Sequence, residues 1–187
     1  MVVSVLMVAE KPSIAETVAY ALAKGNVQTR RESTPVHEYS GDFYGQQAWF
    51  KVTACAGHVY NIDFQSEYNN WDRVNPHDLF AAPTVKEEAN PKMHMPRHFA
   101  KEAKGCSYLV LWLDCDREGE NICFEVMQSA VPAMQKLKEQ QVWRAFFSSL
   151  APQDLKKSFM NLGSPNQDEA WSVGKVVHST GRWMGGR

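Results

Sequence analysis

The sequence lacks long hydrophobic runs, paired cysteine motifs and an excess of either charge. No apolar segment approaches the roughly 18–20 residues that a membrane helix needs, so no membrane contact is expected. The four cysteines are scattered without a C-x-x-C pair, which disfavours a zinc site and fits a reducing compartment. The 20 basic and 21 acidic residues nearly cancel, so any contact with nucleic acid must depend on a local site.

Apolar runs alternate with segments of helical periodicity along the chain. Residues 2–9 and 108–113 are typical of buried parallel strands, and residues 143–147 predict a third such strand. Helices are expected after each run, two of them beginning at Pro12 and Pro152, since proline favours a first helical turn. This order predicts an α/β domain with a mainly parallel central sheet flanked by helices.

Two further regions lie between these units. Residues 37–39 and 48–53 flank Tyr44-Gly45 and predict a β-hairpin, which we expect as an insertion or at a sheet edge. Residues 66–98 carry four of the nine prolines and show little periodicity. A connection of this length is either functional or packed by its own aromatic side chains.

Carboxylates follow two of the predicted strands at their carboxyl ends, where sites form in open α/β sheets. Glu10 follows the first strand, and Asp114, Asp116 and Glu118 follow the second. Their spacing of two residues places the last three on one side of an extended segment. Such carboxylates repel one another unless a cation lies between them, and hard oxygen ligands suit Mg²⁺. The pattern favours a magnesium site that orients a phosphodiester.

The same residues have a structural alternative. Acidic side chains stabilise a helix N-terminus through its dipole, so Glu118 and Glu120 could serve that purpose alone. Arg117 could pair with a phosphate or with a neighbouring carboxylate. For Lys11 the alternative is a surface lysine at a helix start, and for His58 a structural histidine at the end of a strand.

Three motifs resemble those of a known family: AEKPSIA at 9–15, Gly57-His58-Val59, and LWLDCDREGENICFE at 111–125. Together they resemble type IA DNA topoisomerases, specifically the Toprim domain of eukaryotic topoisomerase III. The segments VHEYSG at 36–41 and NPHDLF with KEEANPK within 75–92 look closer to the beta form than to the alpha form. An isolated Asp-x-Asp is a weak signal, but DxDREGEN together with AEKPS is a specific one.

The resemblance implies a Rossmann-like Toprim domain over 1–173 and roles for the residues at matching positions. Glu10 matches the general acid/base glutamate near the scissile 3′ oxygen, and Lys11 matches a lysine that contacts the scissile phosphate. The implied site residues are Glu10, Lys11 and Arg117 for catalysis, Asp114, Asp116, Glu118 and Glu10 for Mg²⁺, and Lys11, Arg117 and His58 for nucleic acid. Glu120 matches a motif position of less certain role.

The resemblance also implies partners and a location. It implies Mg²⁺ as cofactor, single-stranded DNA or RNA as substrate, a Tudor-domain scaffold protein as partner, and the nucleus, with the cytoplasm as a second location. The family cleaves with a tyrosine of a later domain. None of the tyrosines here lies in that context: Tyr20, Tyr39, Tyr44, Tyr60, Tyr68 and Tyr108.

Residues 174–187 differ from the rest, with four glycines, three basic residues and no acidic residue. They resemble nothing in the family, and we expect a disordered tail that arose from a shifted frame, a retained intron or an alternative exon. Two functions stay open. One is a truncated or partial topoisomerase that supplies the acidic half of an active site. The other is a non-cleaving Toprim module that binds metal and single-stranded nucleic acid, as an inactive or regulatory isoform.

Overall fold

A computed structural model describes residues 2–68, 72–136 and 140–168. The strands are β1 (Val3–Ala9), β2 (Gln28–Arg30), β3 (Val36–Phe43), β4 (Gln46–Ala54), β5 (Tyr60–Phe64), β6 (Thr84–Glu88), β7 (Tyr108–Trp112) and β8 (Val142–Arg144). The helices are α1 (Pro12–Leu22), α2 (Met95–Ala103), α3 (Arg117–Ala130) and α4 (Pro152–Met160), with single 3₁₀ turns at Ser66–Tyr68, Asp78–Phe80 and Val131–Ala133. The predicted tail at 174–187 lies outside the described residues, so the predicted boundary at 173 stays a prediction.

The central sheet has the strand order β2-β3-β4-β1-β7-β8. Strands β4, β1, β7 and β8 run parallel, whereas β3 is antiparallel to β4 and β2 is antiparallel to β3. The prediction of a mainly parallel α/β sheet is therefore confirmed. The expected hairpin is also present as β3 and β4, but β4 is not an edge strand. It pairs with β1 from Val3 beside Ala48 to Ala9 beside Ala54, and its alternate apolar residues Ala48, Phe50, Val52 and Ala54 are buried in the core on one face of the sheet.

The core lies on both faces of this sheet. In β1, Val5 and Met7 pack towards α1 and α4, whereas Leu6 and Val8 pack towards α2 and α3. Successive side chains of a strand point to opposite faces, so one continuously apolar strand supplies both layers. None of the helices in the described ranges is both long and apolar enough to cross a membrane.

The long connection holds more regular structure than the sequence predicts. Strand β6 pairs with β5 in a separate two-stranded sheet, and α2 begins at Met95, with Phe99 fully buried against the central sheet. The strand expected at 143–147 is β8, which ends at Arg144. The local sequence pattern does not predict β5, β6 or α2, because their apolar faces are evident only once these elements pack in the folded protein.

Candidate active site at the carboxyl edge of the sheet

The four parallel strands of the sheet end at the same edge, and the loops that follow three of them carry the predicted site residues. Glu10 and Lys11 follow β1, the segment from Asp114 to Glu118 follows β7, and His58 lies in the loop after β4. Strand β1 lies between β4 and β7, so the three loops are neighbours. We call the carboxylates Glu10, Asp114, Asp116 and Glu118 the acidic edge.

The ends of β1 and β7 are joined through Glu10. The backbone N–H of Asp114 donates a hydrogen bond to Glu10 Oε2 at 3.3 Å, and Lys11 Nζ lies 3.5 Å from Glu10 Oε1. The Glu10 side chain is 16% exposed, whereas that of Lys11 is 62% exposed. Glu10 is therefore held in place by the neighbouring strand end, and the Lys11 ammonium remains accessible to an anion from solvent.

Asp116 has a structural task as well as its predicted one. It is the N-cap of α3, and its Oδ1 accepts a hydrogen bond from the Gly119 backbone N–H at 2.7 Å. This bond satisfies one of the free N–H groups of the first helical turn. Arg117 begins the helix, is exposed and forms no ion pair with any described carboxylate. The pairing of its guanidinium with a phosphate stays a prediction.

His58 connects the loop after β4 to α3. Its Nε2 lies 2.5 Å from Glu118 Oε1, and its Nδ1 lies 3.2 Å from Glu125 Oε1. The other oxygen of Glu125 accepts the backbone N–H of Val59 at 2.8 Å. Gly57 has a φ of 88°, which is strained for other residues, and it lets the chain turn before His58. Sequence reasoning missed Glu125, although a glutamate on the apolar face of an amphipathic helix is a signal of a buried partner.

Arg144, at the end of β8, is the second residue that sequence reasoning missed. Its guanidinium is fully buried and donates to Glu120 Oε1 at 2.7 Å, to the Leu113 carbonyl at 2.9 Å and to the Asp114 carbonyl at 2.8 Å. The second oxygen of Glu120 accepts the backbone N–H of Asn166 at 2.9 Å. Glu120 thus follows the structural alternative, although its partner is an arginine rather than the helix dipole alone. The available signal was an arginine placed directly after the apolar residues of a strand.

Gly119 allows the first turn of α3 to lie close to the backbone of the loop that follows β7. A Cβ at this position would lie 2.0 Å from the Asp114 carbonyl oxygen, a backbone atom that cannot easily move. The same carbonyl accepts a hydrogen bond from Arg144. The glycine of the DREGEN motif is therefore required by the approach of two backbone segments, and its φ is not in the left-handed region.

The acidic edge provides oxygen ligands but does not form a closed cage. Within the described ranges, no three His, Cys, Asp or Glu side chains converge closely enough to hold a metal ion. Asp116 uses one oxygen as a helix cap, and Glu118 contacts His58. Mg²⁺ commonly binds one or two carboxylates and keeps several waters. The donor chemistry of Asp114 and of the second Asp116 oxygen fits such an open site.

Two cysteines lie close to this edge, but neither is a candidate metal ligand. Cys55 follows β4 and Cys123 lies in α3, and both are fully buried. Burial raises the pKa of the Cys55 thiol and that of the Cys123 thiol well above the usual value. Both side chains therefore stay neutral and act as small apolar groups in the core.

Comparison with known proteins identifies the family. The Toprim domain family matches residues 5–150. The chain is 54% identical over 169 residues to DNA topoisomerase 3-beta of Arabidopsis thaliana and 48% identical over 176 residues to DNA topoisomerase 3-beta-1 of Homo sapiens, which covers 90% and 91% of the chain. It is 38% identical over 168 residues to DNA topoisomerase 3-alpha of Arabidopsis thaliana, so the predicted likeness to the beta form is confirmed.

The chain spans about a fifth of the length of these relatives, with 19% of the first and 20% of the second covered. Among solved structures, full-length topoisomerase I from Thermotoga maritima aligns with a TM-score of 0.53 and 18% identity, over 90% of this chain and 22% of that one. At this identity the structural likeness concerns the fold alone. The chain therefore belongs to the Toprim domain family and is similar, over about nine-tenths of its length, to the topoisomerases named 3-beta.

Proposed function

We propose that this chain supplies the acidic, magnesium-binding half of a type IA topoisomerase active site of the 3-beta kind. Enzymes of that kind change DNA topology by cutting one strand, passing another through the break and rejoining the ends. The observation that carries the proposal is the hydrogen bond from the Asp114 backbone N–H to Glu10. It ties the Glu10 carboxylate to the backbone of the adjacent strand end, at the edge where α/β sheets place their sites.

Each residue of the edge has a proposed task. Asp114 and Asp116 hold Mg²⁺ with water completing the shell, and the ion offsets negative charge on the phosphate when bound. Lys11 is exposed and pairs with the neighbouring Glu10 at 3.5 Å, and Arg117 is exposed; both cations bind backbone phosphates. Glu10, fixed by the Asp114 N–H, donates a proton to the departing 3′ oxygen and takes it back on rejoining.

The attacking tyrosine is proposed to come from outside this chain. Tyr39 and Tyr108 are buried in the core, and Tyr44 lies in the turn between β3 and β4, at the opposite edge of the sheet. With the nucleophile outside the chain, the second candidate describes the isolated chain, a module that binds metal and a single strand without cutting it. We extend to this chain, as part of the proposal, single-stranded DNA or RNA as ligand, a Tudor-domain scaffold as partner, and the nucleus, with the cytoplasm as second location.

The magnesium site is tested by melting the chain with and without about 10 mM Mg²⁺. Because the ion binds the folded state, the wild type should gain about 3–5 °C if the dissociation constant is near 1 mM. The D114N/D116N variant should gain nothing, although it keeps the helix cap, since asparagine caps as well as aspartate. The matched control is D42N, because Asp42 also accepts an N–H three residues on, from Gly45. An equal gain in all three proteins would remove the metal site from the proposal.

The nucleic-acid role is tested with a fluorescent single strand of about 20 nucleotides. Removing Lys11 and Arg117 together should weaken binding and lower the slope of log affinity against log salt by about 1–2, because two phosphate contacts are lost. The control is K157A, an exposed lysine on α4. The isolated chain should not relax negatively supercoiled plasmid, since the attacking tyrosine is proposed to come from outside it. Relaxation that disappears in E10A would mean that a tyrosine of this chain acts as nucleophile.

A further inference from the structure

A cavity of about 440 Å³ opens at the edge of the sheet opposite to the acidic edge. It lies between the end of α1, the β3–β4 hairpin and the end of α4, which meet at the amino-terminal edge of β1 and β4. Small-molecule sites are typically about 300–1,000 Å³ and mostly apolar, with a few polar groups that fix orientation. The cavity meets this description and shares no residue with the site described above.

Aromatic rings form the walls of the cavity. Tyr39 and Phe50 are stacked with ring centroids 4.9 Å apart, and Phe159 lies 5.9 Å from both Phe43 and Phe50. Gly41 also lines the cavity, and a Cβ there would already come within 3.0 Å of the Phe50 ring. Phe50 is 1% exposed and forms the closed floor of the cavity, whereas the partly buried Phe159 offers an aromatic ring against which a planar apolar group can pack.

A buried hydroxyl at this site has no partner. Tyr39 is 3% exposed, and its hydroxyl makes no hydrogen bond within the described part of the chain. Burying a hydroxyl without a partner is unfavourable, because the group has lost its hydrogen bonds to water. Burial also raises the pKa of Tyr39, so the group remains a proton donor. A ligand that brings a hydrogen-bond acceptor into the cavity would remove that cost.

The rim of the cavity is positively charged. Lys24 and Lys156 are both exposed and line it, and neither is ion-paired with a carboxylate of the described ranges. The single acidic residue of the lining, Asp42, already accepts the Gly45 N–H at 3.0 Å. Two free cations beside an apolar slot favour a ligand that carries an anionic group.

We propose that this cavity is a second binding site, for a small molecule with a planar, apolar aromatic ring and one anionic group. The ring lies against Phe159, which lines the cavity and is only partly buried, and the anion lies between Lys24 and Lys156. Indole-3-acetate is a probe with this chemistry. A nucleoside monophosphate also has a ring and an anion, but its base carries several polar groups, of which the Tyr39 hydroxyl can pair with only one, and this makes it the weaker ligand.

The test is a titration of the full chain, labelled with ¹³C in its methionine methyl groups, with indole-3-acetate. Met160 lines the cavity and reports on it, whereas Met95 and Met127 lie on the other face of the sheet and serve as references. The Met160 signal should move and saturate while the references stay still. The K24Q/K156Q variant should bind about two- to fivefold more weakly, as expected for partly exposed ion pairs. K157Q, altered at the neighbouring position outside the cavity, should bind like the wild type.

Two further titrations test whether the charge and the apolar ring of the ligand are both recognised. Indole-3-acetamide, which is uncharged, should bind wild type and K24Q/K156Q equally, at the affinity of the charged probe for the variant. Adenosine and thymidine monophosphates should bind more weakly than indole-3-acetate. The proposal is overturned if Met160 does not respond, if all three methionines shift alike, or if a nucleotide binds more tightly than the indole. The variants change only exposed side chains, and the reference methionines show directly whether the fold is intact.

Discussion

Glu118 and Glu120 lie two residues apart in the first turn of α3, yet they have opposite environments. The side chain of Glu118 is 58% exposed and, among the described residues, is ion-paired with His58 alone, whereas that of Glu120 is 2% exposed and is bound by Arg144 and Asn166. A buried charge is tolerated only when it is paired and hydrogen-bonded, so Glu120 is held in one place. An exposed carboxylate gains little from any one partner and can exchange it for an ion. The DREGEN motif therefore contains both an exposed carboxylate and a buried structural one.

This difference describes how the acidic edge is built. Asp114 takes part in both layers, since its carbonyl oxygen accepts a hydrogen bond from buried Arg144 while its carboxylate stays on the exposed side. The buried pair thus positions the backbone, and the exposed side chains are left for chemistry. If this division is correct, substitutions of the buried pair should lower the stability of the fold. Substitutions of the exposed side chains should instead weaken ligand binding.

The largest effect is expected for R144M. It leaves the Glu120 carboxylate buried without its cation and frees several carbonyl oxygens, so unfolding should become easier by about 3–5 kcal/mol in urea denaturation. R117M, an exposed arginine of the same loop, should change stability by no more than about 0.5 kcal/mol. Adding E120Q to R144M should restore part of the loss, because the unpaired charge is gone. Equal costs for R144M and R117M would show that the buried pair does not hold the loop.

A smaller loss is expected for G119A. The added Cβ would lie 2.0 Å from the Asp114 carbonyl, so the turn between β7 and α3 has to open. Overpacking of this kind typically costs about 1–3 kcal/mol, measurable as a lower urea midpoint. The control is G25A, since nothing lies within 4 Å of a Cβ there and its φ is ordinary. If G119A melts like G25A, the close approach seen here is not a constraint on the protein.

The smallest loss of stability is expected for substitutions of Asp116, which caps α3 and is proposed to bind Mg²⁺. D116A removes the cap of α3 and should cost about 1 kcal/mol, whereas D116N should cost only a few tenths, since both residues cap well. Both variants remove the charge proposed for Mg²⁺, so both should lose part of the magnesium-induced rise in melting temperature. A D116N protein with the full magnesium response would restrict the site to the other carboxylates.

Part of this structure could be predicted because it depends on short-range patterns. The runs before Glu10 and Asp114 predict buried parallel strands, and parallel strands that end at one edge bring their carboxylates together. The start of α4 at Pro152 follows from the preference of proline for a first helical turn. Helix α2 was missed because its segment begins among prolines, and its apolar face is evident only from its packing on the sheet.

The sequence by itself determined the α/β class, the acidic strand ends and the Toprim family, since each depends on residue types at fixed local spacing. Only the tertiary structure decided that β4 lies inside the sheet, that Glu120 belongs to a buried pair, and that Arg144 and Glu125 support the site. Those facts depend on residues 24 and 67 positions apart along the chain, whose contacts no local pattern records. The cavity opposite the acidic edge is of the same kind, because its walls come together only when α1, α4 and the hairpin pack against one another.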